Sequence, residues 1–143
     1  MDAPYRHIVC CLDDSDASQR ALDEARRLRA LGPGRLSLLH VVEFPLPYAT
    51  GLGGWIPDPA ELVDVARRWL GDIAAEVPGA EAVVIEGHPA GETCDWAAAN
   101  DADLLVCAGH RNLAARITLG SFAHHLVGHA PCAVLVLRPA RAG

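Results

Sequence analysis

Asp13 stands where a strand-length apolar run, Ile8 to Leu12, gives way to a helical pattern, and Asp14, Ser15 and Asp16 follow it. Those three residues suffice to cap the helix. Asp13 is too early to be a good cap, and a carboxylate at that lip can accept hydrogen bonds from ribose hydroxyls or an adenine amino group. A second constellation follows the fourth apolar run: Gly109-His110-Arg111-Asn112, then Gly120-Ser121 at the opening of another helix. Backbone N–H groups at a helix N-terminus attract anions, and glycine lets a phosphate come close. A helix simply capped by Ser121 is the equal alternative. On the last helical segment His125 and His129 are four apart, a spacing that can grip a metal, with His124 beside them. A third ligand at suitable spacing is missing, so these histidines read as solvated helix residues and no metal is expected.

Other chemistries are removed by what the chain lacks. Twelve arginines carry all the positive charge and there is no lysine. A Walker A loop, the kinase strand lysine, a Ser-x-x-Lys acylase and any lysine Schiff base are therefore impossible. There is no Gly-x-Ser-x-Gly elbow for a hydrolase, and Gly51-Leu52-Gly53-Gly54 lacks the later glycine of a dinucleotide fingerprint. The five cysteines (Cys10, Cys11, Cys94, Cys107, Cys132) are odd in number and include no Cys-x-x-Cys pair. Four of them sit in or beside apolar runs, as small buried hydrophobes of a reducing compartment would. A net charge of −6 opposes binding to nucleic acid, whose phosphates need a basic face. No apolar run is long enough to span a bilayer, and Met1 to Tyr5 has no basic stretch leading into an apolar one. A cytoplasmic protein with neither membrane nor nucleic-acid partner is the expectation.

The elements that must position these residues are legible as a repeating pattern. The 143 residues, 51% of them hydrophobic, suit one domain with its own core. Apolar runs at Ile8 to Leu12, Leu36 to Val42, Ala82 to Ile85, Leu104 to Ala108 and Ala133 to Leu137 are nearly continuous, as in strands covered on both faces. Helical stretches separate them. Gln19 to Leu31 carries the stripe Leu22, Ala25, Leu28 and stops at Gly32-Pro33-Gly34. Asp58-Pro59-Ala60-Glu61 supplies an N-cap, a first-turn proline and a carboxylate for a helix with the stripe Leu62, Val65, Ala66, Trp69, Leu70, Ile73. A third helix covers about Pro89 to Asn100, and a short fourth about Ser121 to Val127. Strands alternating with helices predict a doubly wound parallel sheet with helices on both faces. Ligands of such sheets bind beyond the carboxyl ends of the strands, where strand order reverses. The glycine- and proline-rich segment Phe44 to Pro57 leaves the second strand on that side and is long for its place, so it can fold over the crevice as a lid carrying Trp55.

Nearly the whole chain resembles one family. HIVCCLDDSDASQRALDEA, LLHVVE, EGHPAGETCDWAAANDADLLVCAGHR and LGSFAHHLVGHAPCAVLVLRP are similar to successive blocks of the universal stress proteins. The resemblance implies one domain over 1–143, with five parallel strands in the order 3-2-1-4-5, so that strands 1 and 4 are neighbours and Asp13 faces Gly109 across one crevice. It also implies an ATP-type site. Asp13 matches the acidic residue that contacts the nucleoside, Cys11 and Val41 match contacts to adenine, the backbone around Gly109, Gly120 and Ser121 is implied to hold phosphate, and Ala108, Arg111, Asn112 and Phe122 complete the implied nucleotide-binding set. ATP-binding members carry Gly-x2-Gly-x9-Gly-Ser/Thr there. Asn112 replaces the second glycine, and seven residues rather than nine separate it from Gly120. Asp14 replaces the glycine usual after the aspartate, so Arg111, Arg116 or Mg2+ must offset phosphate charge. ATP, or AMP or a cyclic nucleotide that suits the shorter loop, is the implied ligand, held by a sensor or regulatory module and not a dedicated enzyme. Its rivals are a member acting through protein contacts alone and a weak nucleotide hydrolase with His110 or Asp14 as base. The last strand, Cys132 to Arg138, is implied to pair with its copy in a homodimer.

Overall fold

The computed structural model describes residues 2–43, 58–111, 117–118 and 120–138. Their elements run β1 (His7–Cys11), α1 (Asp16–Arg29), β2 (Arg35–Val42), α2 (Pro59–Ala75), β3 (Ala80–Glu86), α3 (Pro89–Ala99), β4 (Leu104–Ala108), β5 (His110–Arg111), β6 (Ile117–Thr118), α4 (Gly120–His129) and β7 (Ala133–Leu137). Five strands form a parallel sheet in the order β3-β2-β1-β4-β7, the predicted 3-2-1-4-5 with β7 as the fifth strand. No helix among the described residues is long and apolar enough to cross a membrane.

Period-two alternation of the strands divides the core into two layers. Ile8, Cys10, Leu36, Leu38, Leu104 and Val106 face α1 and α2, meeting Ala21, Leu22, Ala25 and Leu70. Val9, Cys11, Leu39, Leu105 and Cys107 face the other way, onto Cys94 and Ala97 of α3 and Ala123 and Leu126 of α4. Central β1 is therefore buried at every residue, which is why its run reads as continuously apolar.

Four details differ from expectation. Helix α1 starts at Asp16 and ends at Arg29, because Ser15 already has the extended backbone of an N-cap; its side chain makes no capping bond. The buried seam of α2 is Val63, Ala66 and Leu70, whereas Val65 is 57% exposed, since one residue along a helix is a 100° turn away from the seam. Helix α4 spans Gly120–His129, longer than Ser121 to Val127. A two-rung antiparallel pair, His110 with Thr118 and Arg111 with Ile117, precedes α4; two-residue strands are too short to carry a sequence period.

At the amino ends of the strands, a line of polar groups joins the layers. The buried His7 ring lies 2.7 Å from Ser37 Oγ through Nε2 and 2.9 Å from the Asn100 carbonyl through Nδ1. Ser37 donates to Glu81, which also pairs with Arg35 at 2.7 Å. The Asp103 carboxylate accepts from the Arg6 and His7 N–H groups at 2.7 and 2.9 Å, fixing the start of β1 beside that of β4.

Candidate functional site

Beyond the carboxyl ends of β1 and β4, where strand order reverses, the structure opens a cavity of about 240 Å³. Cys11 and Cys107 lie side by side beneath it, from the last turns of pleat in β1 and β4. Asp13 forms its lip, Val41 approaches from β2, and Ala108 and Phe122 from the β4 and α4 side. Five residues singled out in the sequence (Cys11, Asp13, Val41, Ala108 and Phe122) thus share one concavity.

The Asp13 carboxylate accepts from the Ser15 N–H at 2.8 Å and from the Ser15 hydroxyl. Ser18 Oγ donates to the Asp13 carbonyl at 2.8 Å, so backbone and side chain are both tied into the first turn of α1. Asp13 therefore does local structural work from a position too early for a cap: it closes an Asx turn two residues long. The three acids Asp13, Asp14 and Asp16 also line a groove alongside the cavity, toward α1 and Trp69.

Across the crevice, buried Gly109 donates its N–H to the Leu137 carbonyl at 2.8 Å, so this amide serves the β4–β7 ladder. Gly120 opens α4 with φ of +78°, a left-handed conformation that explains glycine there. Ser121 is exposed in the first turn and Phe122 half-buried. The backbone of Arg111 pairs with Ile117. Asn112, Arg116 and the lid segment with Trp55 lie outside the described residues, as do the side chains of His110 and Arg111.

Both thiols under the cavity are held protonated. Burial pushes Cys107 up to about 11 and Cys11 well above the usual thiol value, the latter also through its neighbour Cys107. They act as apolar lining. The histidines of α4 gain a neighbour: His125 stacks on His129 with centroids 4.2 Å apart, and His88 comes within 6.2 Å of His125. The His88 Nδ1, however, accepts from the Gly91 N–H at 3.3 Å as the N-cap of α3. Among the described residues no three His, Cys, Asp or Glu side chains are grouped to hold a metal ion.

Sequence reasoning missed Ser18, His40, Pro89 and Thr93 in the wall. Pro89 and Thr93 are one helical turn apart on α3, and the Thr93 hydroxyl donates to the Pro89 carbonyl at 2.7 Å. A polar residue in an otherwise small, apolar helix stripe was the available signal. His40 carried none, because it sits inside a strand run.

A crevice at the switch point of a doubly wound parallel sheet, with a carboxylate at its lip and Phe122 of the glycine-opened helix in its wall, defines the α/β architecture of this chain. The universal stress protein family model matches residues 4–138, and the chain belongs to that family. It is 30% identical over 138 residues to a universal stress protein of Thermus aquaticus, covering 94% of this chain and 99% of that one. A universal stress protein solved in complex with cAMP superposes with a TM-score of 0.71 at 22% identity, over 95% of this chain and 99% of that one. A family protein from Arabidopsis thaliana with AMP bound gives 0.62 at 19% identity, over 92% of this chain and 90% of that one.

Proposed function

We propose that this universal stress protein binds an adenine nucleotide in the β1–β4 crevice and acts in the cytoplasm as a homodimeric regulatory module of the stress response, without dedicated catalysis. The observation that carries this reading is the convergence of Asp13, Val41, Ala108 and Phe122 on one cavity of about 240 Å³ at the switch point. The carboxylate suits ribose hydroxyls, and Val41, Ala108 and Phe122 supply apolar surface for a base. Proteins of the same fold with AMP or cAMP bound support the ligand class. In the ATP-type reading, phosphates reach toward Gly120, Ser121 and the 111–116 segment, with Mg2+ or Arg111 and Arg116 offsetting their charge.

A second reading, that the ligand is AMP or a cyclic nucleotide, has its own support. Asp13, Asp14 and Asp16 bring negative charge to the cavity and its adjoining groove, and the Gly109 N–H is already taken by Leu137. Fewer phosphates suit such a site. Calorimetry with AMP, cAMP and ATP, the last with and without Mg2+, decides between them. Tighter binding of AMP or cAMP than of MgATP selects the second reading. Absence of heat with all of them, and of any nucleotide in the supernatant of the denatured purified protein, leaves a member acting through protein contacts.

A further inference from the structure

The carboxyl end of β1 is fastened to β2 one residue beyond the strand. The Leu12 N–H donates to the Leu39 carbonyl at 2.9 Å, continuing the register in which Cys11 faces Leu39. In a parallel ladder the Leu12 carbonyl would next accept from the N–H two residues past Leu39, that of Val41. That carbonyl instead lies 2.7 Å from the Nδ1 of His40. A carbonyl only accepts, so Nδ1 carries the proton and donates it. Trp69 of α2 steadies the ring edge-on, with centroids 5.0 Å apart at 74°.

Backbone N–H directions alternate along a strand, so the Val41 N–H points to the same edge as the Leu39 carbonyl, toward β1. There β1 has already turned away into Asp13, and Val41 borders the cavity. We propose that His40 is a positioning residue for the ligand: by drawing the Leu12 carbonyl onto its Nδ1 it turns that acceptor off the ladder line to the Val41 N–H, which is left to donate to an acceptor atom of the bound base. This rests on the nucleotide reading above and adds to it the residue that keeps the base-reading donor unspent. A side chain on a strand that reads as plain core thereby sets the chemistry of its neighbour's backbone.

Two variants separate donor placement from loss of the ring. In His40→Asn the amide nitrogen occupies the place of Nδ1, whereas in His40→Gln it sits one carbon further out. His40→Asn is expected to bind AMP within about threefold of wild type. His40→Gln is expected to bind about tenfold more weakly, the cost of one hydrogen bond. Adenosine should lose the same factor, since the effect lies at the base. Amide hydrogen exchange by NMR supplies a readout without ligand: Val41 exchanges rapidly in the free wild type, slows when AMP binds, and is slow in free His40→Gln, where the Leu12 carbonyl becomes available to it. Equal AMP affinity of the two variants overturns the assignment while the nucleotide reading stands. A Val41 amide already protected in the free wild type overturns it whatever the binding data. If the wild type binds no AMP, the nucleotide reading falls and this assignment with it.

Discussion

At the Asp13 carboxylate the hydroxyls of the proposed ligand would meet groups already in place, the Ser15 N–H at 2.8 Å and the Ser15 hydroxyl. Because a carboxylate has about four acceptor sites, it can hold the turn and a ribose together. Replacing Asp13 by Ala removes a charge-assisted hydrogen bond worth about 1.5–3 kcal/mol and should weaken AMP binding about 10- to 100-fold by calorimetry. Asp13→Asn keeps an oxygen for Ser15 and should lose less. At the opposite end of the sheet Glu81 is held below its ordinary value chiefly by the Ser37 hydroxyl, with Arg35 adding to it. A carboxyl that is more acidic folded than unfolded stabilises the fold above its unfolded value and loses that contribution as pH falls through the folded one. The stability gap between wild type and Glu81→Gln should therefore be open at pH 7 and close as pH drops below about 4.5, as followed by urea unfolding across pH. Asp13 was legible in the sequence because it is polar at the end of an apolar run. Its second task was hidden, since an Asx turn depends on backbone geometry, and Asp14, Ser15 and Asp16 suffice by type to cap the helix.

Elements carry the next level of the site. Helix α4 is aimed at the crevice by Gly120, whose φ of +78° any side chain would strain. Gly120→Ala should cost about 1–2 kcal/mol of stability, the penalty of a left-handed residue, and lower the melting temperature accordingly. If Gly120 also lies against phosphate, the same variant should weaken AMP more than adenosine. The alternation of runs and helices made all five main strands and four helices readable, because a nearly continuous apolar run gives way to a period of 3.6 at each boundary. Where that signal was thin, boundaries moved. Val65 fits the helical period of the α2 stripe by its spacing, yet Val63 fills the seam and Val65 stays 57% exposed. The β5–β6 pair had no signal, since four residues cannot display an alternation.

For the molecule as a whole, β7 is one edge of the sheet, with Val134, Leu135, Val136 and Leu137 half-buried and Ala133 exposed. An apolar edge strand without a charge or proline in its span invites a second strand. Light scattering at micromolar concentration should give the mass of a dimer, and Val136→Arg should give that of a monomer. A monomeric wild type would overturn the pairing. Which edge is exposed was implied by the family's strand order and is set by how β4 inserts between β1 and β7, a choice that no local pattern in Cys132 to Arg138 records.

The pair of thiols under the cavity makes the protein a reporter on its own crevice. Cys11 and Cys107 are buried, are held protonated by that burial and line the cavity, so an alkylating reagent should reach them slowly and through the cavity. Their labelling rate then measures how accessible the cavity floor is to a small molecule, on a scale that mass spectrometry can follow for hours. A molecule seated on them slows that labelling in proportion to its occupancy, whatever its phosphates do. Ligands too weak for calorimetry could thus be ranked by delay alone, in the native chain and without an added probe.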